Sequence, residues 1–251
     1  MIEIKKLCVE YGGKAALSDV SLKFEEGRMT VLAAPNGGGK STLLKAAAGL
    51  QEINGGSICI DGRDIKEWQR TELARKVSYM SQSRNTPSIQ AKKMVLHGRF
   101  PYLSYPRKYR QEDYAAAAEA MRRTDSEELA DKFLPDLSGG QRQRIYLAMT
   151  LAQCTDVIFL DEPLNFLDVK HQTELLKLAH DLASEGRTVV PVIHDIRLAL
   201  QEADTIAVLS EGRLAAYGEP EEVFESGVIQ EVFGVDIGYA ATEFGRRYYY
   251  I

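Results

Sequence analysis

The stretch TVLAAPNGGGKSTLLKAAAGL, residues 30–50, contains the pattern that decides the fold. Its apolar start predicts a strand, and the part from Ser41 to Ala48 predicts a helix. Between them, Ala34 to Ser41 fits the Walker A pattern in its form that allows Ala or Gly at the first position. Successive backbone N–H groups above a helix N-terminus make such a loop an anion site. The stretch therefore predicts a phosphate-binding loop.

In this loop, Lys40 is predicted to contact the β and γ phosphates of a nucleotide, and Ser41 to bind Mg²⁺. A flexible glycine loop is the alternative. Ala34 stands where glycine is usual, and it is tolerated if its φ is negative, because a Cβ is penalised mainly at positive φ. The loop is therefore predicted to work. The predicted nucleotide-binding residues here are Ala34, Pro35, Asn36, Gly37, Gly38, Gly39, Lys40, Ser41 and Thr42.

The run VIFLDEP, residues 157–163, predicts an apolar strand that ends in two carboxylates. Adjacent strand residues face opposite ways, so the two can take different tasks at one edge. Asp161 is predicted to hold Mg²⁺ through water, and Glu162 to polarise the attacking water. Helix capping by a lone acid is the alternative, which would be preferred without the loop before it.

The run LSGGQRQR, residues 137–144, is the most specific feature, since LSGGQ is expected by chance in about one window in a million. A serine and two glycines before a helix again place backbone donors at a positive helix end. The chain thus has two phosphate-binding devices, and one γ-phosphate has no obvious use for both within a monomer.

Strand and helix patterns alternate along most of the chain, which favours a mostly parallel sheet flanked by helices. The clearest predicted strands are Met29–Ala33, Val157–Leu160 and Thr188–Ile193, and their polar carboxyl ends predict one composite site. The fold class is therefore α/β: a P-loop NTPase core with an N-terminal antiparallel β subdomain and an inserted α-helical subdomain. One domain, 1–251, is predicted, with 1–87 and 137–251 as the core and 88–136 as the helical subdomain.

Two smaller features leave alternatives open. The C-terminal DIGYAATEFGRRYYYI predicts a hairpin, whose Tyr248, Tyr249 and Tyr250 either pack in a small sheet, the preferred interpretation, or stack on bases. Pro191 lies within a predicted strand although proline cannot donate to a ladder, so either the strand is bulged or the donor is not needed.

Composition narrows the class of protein. The net charge of −5 argues against broad nucleic-acid binding, so no nucleic-acid partner is expected. Cys8, Cys59 and Cys154 are odd in number and far apart, which indicates a reducing compartment, and all three are predicted to be buried. Nothing resembles a signal peptide, and no run of eighteen apolar residues occurs, so any membrane role is expected to come through a partner.

Taken in order, the motifs APNGGGKST, YMSQ, LSGGQRQR, VIFLDEP, NFLD and VIHD resemble the ATPase subunit of an ATP-binding cassette (ABC) transporter over essentially the whole chain. The resemblance implies ATP and Mg²⁺ as cofactors and ATP hydrolysis as the activity. It also implies that two copies pair head to tail, so that one copy closes over ATP held by the other. The residues implied to do so are Ser138, Gly139, Gly140 and Gln141.

Further roles come from the resemblance alone. Tyr11 resembles the residue that stacks on adenine. Without the other motifs, Tyr11 would be interpreted as a residue that packs at the end of a strand. Gln82 resembles the glutamine that reaches Mg²⁺ and links to the membrane partner, and Asp168 the residue that communicates across the dimer. His194 resembles the histidine that contacts the γ-phosphate. The implied catalytic residues are thus Glu162, His194 and Lys40, and the metal-binding ones are Ser41, Gln82 and Asp161.

The segment VLHGRFPYLSYPRKYRQED is similar to importer ATPases that serve iron-siderophore, haem and cobalamin permeases. This implies transmembrane permease subunits as partners, an extracytoplasmic solute-binding protein beyond them, and a peripheral place on the cytoplasmic face of the membrane. One rival is a soluble cassette ATPase acting in translation, DNA maintenance or cofactor assembly. Another is a nucleotide-binding regulator with little turnover, suggested by Ala34 and opposed by Glu162 and His194.

Overall fold

A computed structural model of the chain describes residues 1–82, 86–243 and 245–251. The strands are β1 (Ile2–Tyr11), β2 (Lys14–Phe24), β3 (Thr30–Ala33), β4 (Gly55–Ile60), β5 (Arg63–Asp64), β6 (Val77–Met80), β7 (Val157–Leu160), β8 (Thr188–Pro191), β9 (Thr205–Ser210), β10 (Arg213–Gly218), β11 (Ile237–Thr242) and β12 (Gly245–Tyr250).

The α-helices are α1 (Lys40–Ala47), α2 (Arg70–Lys76), α3 (Ala91–Leu96), α4 (Gln111–Arg123), α5 (Gly139–Ala152), α6 (Val169–Ser184), α7 (Ile196–Glu202), α8 (Pro220–Glu225) and α9 (Val228–Phe233). Short 3₁₀ helices occupy Ile65–Glu67, His97–Tyr102, Glu127–Leu129 and Leu134–Asp136. In the described residues, no helix has both the length and the apolar content needed to cross a bilayer.

The central layer is a sheet in two halves, with strand orders β6-β7-β8 and β3-β9-β10. Single bridges from Met29 to Val189 and from Leu32 to Val192 join β3 to β8 in parallel. Only β10 runs antiparallel to its neighbour. The carboxyl ends of β3, β6, β7 and β8 therefore meet at one edge, as the sequence predicts for a composite site.

The break between the halves lies at Pro191. Val189 N donates to Arg28 O and Ile193 N to Leu32 O, so residue 191 occupies the position between two donors that face β3. Proline lacks that donor. The register of β7 and β8 stays regular up to Leu160 and Pro191, so the strand carries no bulge there. The missing donor also ends β8 at Pro191, two residues earlier than predicted.

A second sheet, antiparallel and ordered β2-β1-β4-β5, covers one face of the central sheet, in agreement with the predicted N-terminal subdomain. Its inward residues join one core with Leu32, Phe159 and Val190, and the rings of Phe24 and Phe159 meet edge to face at 5.8 Å. The opposite face buries Val31 and Ile158 beneath the other helices. Alternate strand residues thus enter different cores, which explains why these strands are apolar throughout.

Within residues 88–136, all of which the structure describes, the regular elements are α3, α4 and 3₁₀ turns. Both helices pack on α5. An isolated bridge between Gln90 and Phe133 brings the two ends of the segment together. The predicted boundary with the core, between residues 87 and 88, lies close to residues 83–85, which are outside the described part.

The prediction that the three cysteines are buried is wrong. Cys8 and Cys59 are partly exposed and Cys154 is exposed. Strand alternation is the reason for the first two, since Val9 and the neighbours Ile58 and Ile60 take the inward positions. Cys154 follows α5 in a turn, with φ of 52°. The predicted C-terminal hairpin is confirmed as β11 and β12.

Candidate active site

The loop between β3 and α1 has the geometry of an anion cradle. Gly39 precedes the helix with φ of 97°, a conformation open to glycine. A Cβ on Gly38 would lie 2.8 Å from Ala34 Cβ, so this position has no room for a side chain. Ala34 itself is not among the described residues with positive φ. This is the condition under which an alanine was expected to be tolerated at this position. Its methyl group is buried beneath the loop.

Lys40 directs its ammonium group back onto this loop. Nζ donates to Ala34 O at 2.8 Å and to Pro35 O at 3.0 Å. Burial lowers the pKa of Lys40, and the nearby carboxylates of Glu162 and Asp161 oppose that shift without reversing it. The cation is therefore held beside the cradle by carbonyl oxygens that a phosphate oxygen can replace.

Asp161 follows β7 and is almost fully buried. Its Oδ2 accepts a hydrogen bond from the Tyr79 hydroxyl at 2.8 Å. Its Oδ1 is buried with no hydrogen-bond partner among the described residues. A buried carboxylate oxygen left in that state is costly, so the site fits a ligand that Oδ1 would contact, such as a hydrated divalent cation.

Glu162 has its carboxylate surrounded by three donors. Oε1 accepts from His194 Nε2 at 2.6 Å, and Oε2 accepts from Gln82 Nε2 and Asn165 Nδ2, each at 2.6 Å. An ionised carboxylate can only accept, so the hydrogen of this contact comes from His194 Nε2. The residue also has φ of 53°, which is uncommon for a side chain of this size.

The backbone around Glu162 is held from the α5 side. Gln143 is buried, and its Nε2 donates to Glu162 O at 3.3 Å and to Pro163 O at 2.8 Å. The helix that begins with LSGGQ is therefore bonded directly to the backbone of the candidate base. This contact stabilises the unusual φ of Glu162.

The LSGGQ residues lie at the start of α5. Ser138 caps the helix: its Oγ accepts from Gln141 N, and its own N donates to Gln141 Oε1. First-turn amides have no acceptor within a helix, so those of Gly139 and Gly140 are available to an anion. Phe166 packs close against both glycines, and its carbonyl oxygen lies 3.0 Å from where a Cβ on Gly140 would be.

The structure thus brings Lys40, Asp161, Glu162, Gln82 and His194 together and places the other predicted residues around them. Tyr11 ends β1, is 46% exposed as a residue, and donates a hydrogen bond from its hydroxyl to Gln51 Oε1. Asp168 caps α6 and bonds His171, whose contacts lower the pKa of Asp168. A cleft of about 590 Å³ opens beside the start of the LSGGQ helix and is lined in part by Gln82, Gly139 and Phe166.

Sequence reasoning missed Tyr79, Gln143 and Asn165 as members of this site. Gln143 gave a usable signal: it shares a helical face with the buried Leu147 and Leu151, where a polar residue requires a partner. Tyr79 and Asn165 lie within quoted motifs but gave no signal of their own, because their partners are distant or set by a turn.

A phosphate cradle with its lysine, a buried carboxylate and a bonded Glu–His pair at the ends of parallel strands defines a nucleotide-hydrolysing site of the P-loop class. The family model described as ABC transporter matches residues 17–165, more than half of the chain. The chain belongs to the ABC transporter family as an ATP-binding cassette, and it is an ATPase of the kind that is coupled to transport.

Two relatives are similar over most of their length. The petrobactin import ATP-binding protein YclP of Bacillus subtilis (strain 168) is 41% identical over 239 residues, which cover 94% of each chain. The hemin import ATP-binding protein HmuV of Rhodococcus jostii (strain RHA1) is 41% identical over 229 residues, covering 91% of this chain and 78% of HmuV.

Solved structures give the same family. A metal-chelate type ABC transporter in an inward-facing conformation matches with a TM-score of 0.85 and 25% identity, covering 100% of this chain and 96% of that one. The dimeric bacterial ABC transporter cassette MJ0796 matches with a TM-score of 0.78 and 29% identity, covering 88% of this chain and 99% of its own.

Proposed function

We propose that this chain is the ATP-hydrolysing subunit of an importer for an iron-siderophore or haem, acting as a head-to-tail pair beneath a permease. The observation that carries the chemistry is the meeting of Lys40, Asp161 and the Glu162–His194 pair at one sheet edge. The solute class is supported by the names of relatives that are 41% identical to this chain. Cobalamin remains the weaker prediction, carried by sequence resemblance alone.

ATP binding begins at the loop before α1. The N–H groups from Asn36 to Thr42 would surround the β and γ phosphates, and Lys40 would exchange its two carbonyl acceptors for phosphate oxygens. Tyr11 would stack on the adenine, since this residue is partly exposed at the end of β1. The lysine then neutralises charge that develops on the transferred phosphoryl group.

Mg²⁺ fits the carboxyl end of β7. Among the described residues no three His, Cys, Asp or Glu side chains form a metal cluster. Mg²⁺ commonly takes only one or two protein carboxylates and completes its shell with water and phosphate. Asp161 Oδ1, Ser41 and Gln82 would hold it, and the ion would supply charge stabilisation at the phosphates.

Hydrolysis requires Glu162 to accept a proton from water or to orient the water. In the structure three of its roughly four acceptor positions are already occupied by protein donors, which leaves little capacity for a water. His194 would be drawn to the phosphate, and Gln82 would turn to offer its amide oxygen to the metal. Binding of ATP and Mg²⁺ would thus free the base at the moment that substrate arrives.

The second half of the site would come from a second copy. Ser138, Gly139, Gly140 and Gln141 form a separate anion-binding helix start, and Asp168 lies at the start of the neighbouring helix. Their bonds described above are local, which leaves them to contact a nucleotide held by the partner copy. We propose that two nucleotides are buried in this way.

The partners beyond the pair follow the same reading. Residues 88–136 would act as a helical subdomain, with 1–87 and 137–251 as the core. This subdomain and Gln82 would face the permease, and the chain would sit peripherally on the cytoplasmic face of the membrane. An extracytoplasmic solute-binding protein would act on the far side, and no nucleic-acid partner is expected.

Glu162→Gln tests the hydrolytic assignment. The variant should bind ATP, lose at least about 100-fold of its turnover, and form a stable dimer with ATP by size-exclusion chromatography with light scattering. Glu112→Gln, at an exposed position on α4, is the matched control and should behave as the wild type. A variant that stays monomeric with ATP would overturn the pairing, and one that keeps its turnover would overturn the role of Glu162.

Import is tested in cells that lack this chain. Uptake of ⁵⁵Fe-siderophore or of haem should fall to background and return with the wild-type chain, while Glu162→Gln should not restore it. Purification from membranes should also recover a polytopic permease. A chain that is recovered without a permease, in cells whose uptake is normal, would favour the soluble cassette ATPase instead.

A further inference from the structure

The C-terminal hairpin contacts the residue that follows His194. Tyr250, at the end of β12, donates a hydrogen bond from its hydroxyl to Asp195 Oδ1 at 2.9 Å. Strand β12 packs along α7, the helix that begins directly after Asp195. The proposed mechanism gives this hairpin no role, although the hairpin is bonded to the residue next to His194 in the chain.

The Asp195 carboxylate is fixed on several sides. Its Oδ1 also accepts from Arg197 N at 3.0 Å and Leu198 N at 3.2 Å, and its Oδ2 accepts from Arg197 Nη2 at 3.1 Å. Burial alone would raise the pKa of Asp195, but the bonds from Arg197, Tyr250 and Leu198 outweigh it and lower the pKa. The carboxylate is therefore charged at neutral pH, and it sets where α7 begins.

The other side of the hairpin is anchored to α8. Tyr248 is buried, with its ring 5.2 Å from that of Phe224 and 6.4 Å from that of Tyr239. Arg246 forms ion pairs with Glu221 at 3.3 Å and Glu225 at 2.9 Å. Because the strand is held by packing and charge at this end, the position of the Tyr250 hydroxyl is defined by the fold.

We propose that Tyr250 is a positioning residue for His194: its hydroxyl fixes Asp195, and Asp195 fixes the backbone from which the imidazole reaches Glu162. This rests on the proposed role of His194 in hydrolysis. Tyr250 is 49% exposed, so replacing it by Phe removes the hydroxyl and leaves the packing of the hairpin almost unchanged. Its contribution is therefore separable from stability.

Tyr250→Phe in the full chain, with Tyr249→Phe as control, tests the proposal. Tyr249 is the neighbour on the opposite face of β12 and has the same exposure, 49%. Tyr250→Phe should lower kcat by about 3- to 10-fold while KM for ATP changes by less than about twofold. This is less than the full loss of a bond to a charged group, because three bonds from Arg197 and Leu198 still hold the Asp195 carboxylate. Tyr249→Phe should leave both constants unchanged, and the Tm of both variants should stay within about 2 °C of the wild type.

A spectroscopic readout tests whether the effect passes through His194. The chain has four histidines, so the ¹⁵N-imidazole signal of His194 can be assigned with His194→Ala. Tyr250→Phe should shift that signal, and Tyr249→Phe should not. An unchanged kcat, an equal effect of the two variants, or a lower kcat without a shift of the His194 signal would each overturn the proposal.

His194→Ala also distinguishes failure of the Tyr250 proposal from failure of the proposed role of His194 in hydrolysis. If His194→Ala keeps its turnover, the role of His194 in hydrolysis is wrong. If His194→Ala is inactive while Tyr250→Phe matches the wild type, only the role of Tyr250 is wrong.

Discussion

At the residue scale, Ala34 and Gly38 share one small space beneath the phosphate loop. A methyl group on Gly38 would start 2.8 Å from Ala34 Cβ and 3.0 Å from Pro35 O. Gly38→Ala should therefore cost about 1–3 kcal/mol of stability and weaken ATP binding, because the loop must shift. Thermal unfolding and titration with a fluorescent ATP analogue measure the two effects.

Ala34→Gly is the matched change for the same space. Alone it should keep ATP affinity within about twofold and lose about 1 kcal/mol of stability, because it removes a buried methyl group and adds backbone freedom. Combined with Gly38→Ala, it should restore part of the lost binding. A double variant no better than Gly38→Ala would show that Pro35 O, and not the Ala34 methyl, limits this position.

The residues of the candidate site that lie in contiguous motifs could be predicted from the sequence. The loop glycines, Lys40 and the Asp161–Glu162 pair each lie directly after a strand that its apolar run identifies. Gln143 and Asn165 were not found, because their importance is a bond to Glu162 that depends on how α5 and the turn after β7 are placed. The burial of Cys8 and Cys59 was predicted wrongly because residue type was given more weight than strand alternation, and that of Cys154 because the turn after α5 was not recognised.

At the element scale, α6 and α7 are linked by His180 and Glu202, whose side chains are 3.4 Å apart. The hydrogen bond to Glu202 raises the pKa of His180 above its ordinary value of 6.5. A raised pKa in the folded state stabilises the fold below the unfolded pKa, and this stabilisation is lost as pH rises through the folded pKa.

Glu202→Gln should therefore lower Tm at pH 5.5 and leave it nearly unchanged at pH 8. The effect should stay below about 1 kcal/mol, because both side chains are partly exposed. Differential scanning fluorimetry across that pH range measures it, with Glu174→Gln, an exposed position on α6, as the control. A Tm difference that does not depend on pH would contradict the assigned shift.

A second element-scale prediction concerns the buried ion pair between Arg99 and Asp113, which joins the 3₁₀ turn at His97–Tyr102 to α4. The two side chains are 8% and 2% exposed and bond at 2.9 Å. Asp113→Asn should destabilise the chain by about 3 kcal/mol, because it leaves a buried guanidinium uncompensated.

Urea unfolding measures that loss. Glu119→Gln, which removes the exposed pair with Arg122 on the same helix, should leave the midpoint unchanged. Equal midpoints for Asp113→Asn and the wild type would show that the buried pair is dispensable.

The elements themselves were mostly predictable, since apolar runs and turn residues mark them. The ends of the elements were less predictable. Strand β8 stops at Pro191 because proline lacks a donor toward β3, and only the tertiary structure shows that β3 is the neighbouring strand. The same holds for the gap that divides the central sheet into two halves.

At the scale of the whole molecule, the two anion sites predict how a dimer made of two different variants should behave. Lys40→Ala disables the phosphate loop of the copy that carries it. Ser138→Arg disables the start of α5, which contacts the nucleotide held by the other copy. Each variant alone should be inactive. An equal mixture should recover about a quarter of the wild-type rate, because half of the pairs are mixed and each mixed pair retains one intact composite site.

Steady-state ATPase assays on such mixtures measure the recovery. A mixture of Lys40→Ala with Glu162→Gln is the control, because both changes act on the copy that holds the nucleotide. A mixed pair then has no site with both residues intact, so no recovery is expected. Recovery there, or none with Ser138→Arg, would contradict the head-to-tail arrangement.

The three donors around Glu162 give the idle subunit a built-in brake. Three of the roughly four acceptor positions of this carboxylate are taken by protein groups, so without nucleotide it has little capacity left to accept a hydrogen bond from water. This restraint belongs to the empty subunit, and it is released when the arriving phosphate and metal draw His194 or Gln82 away.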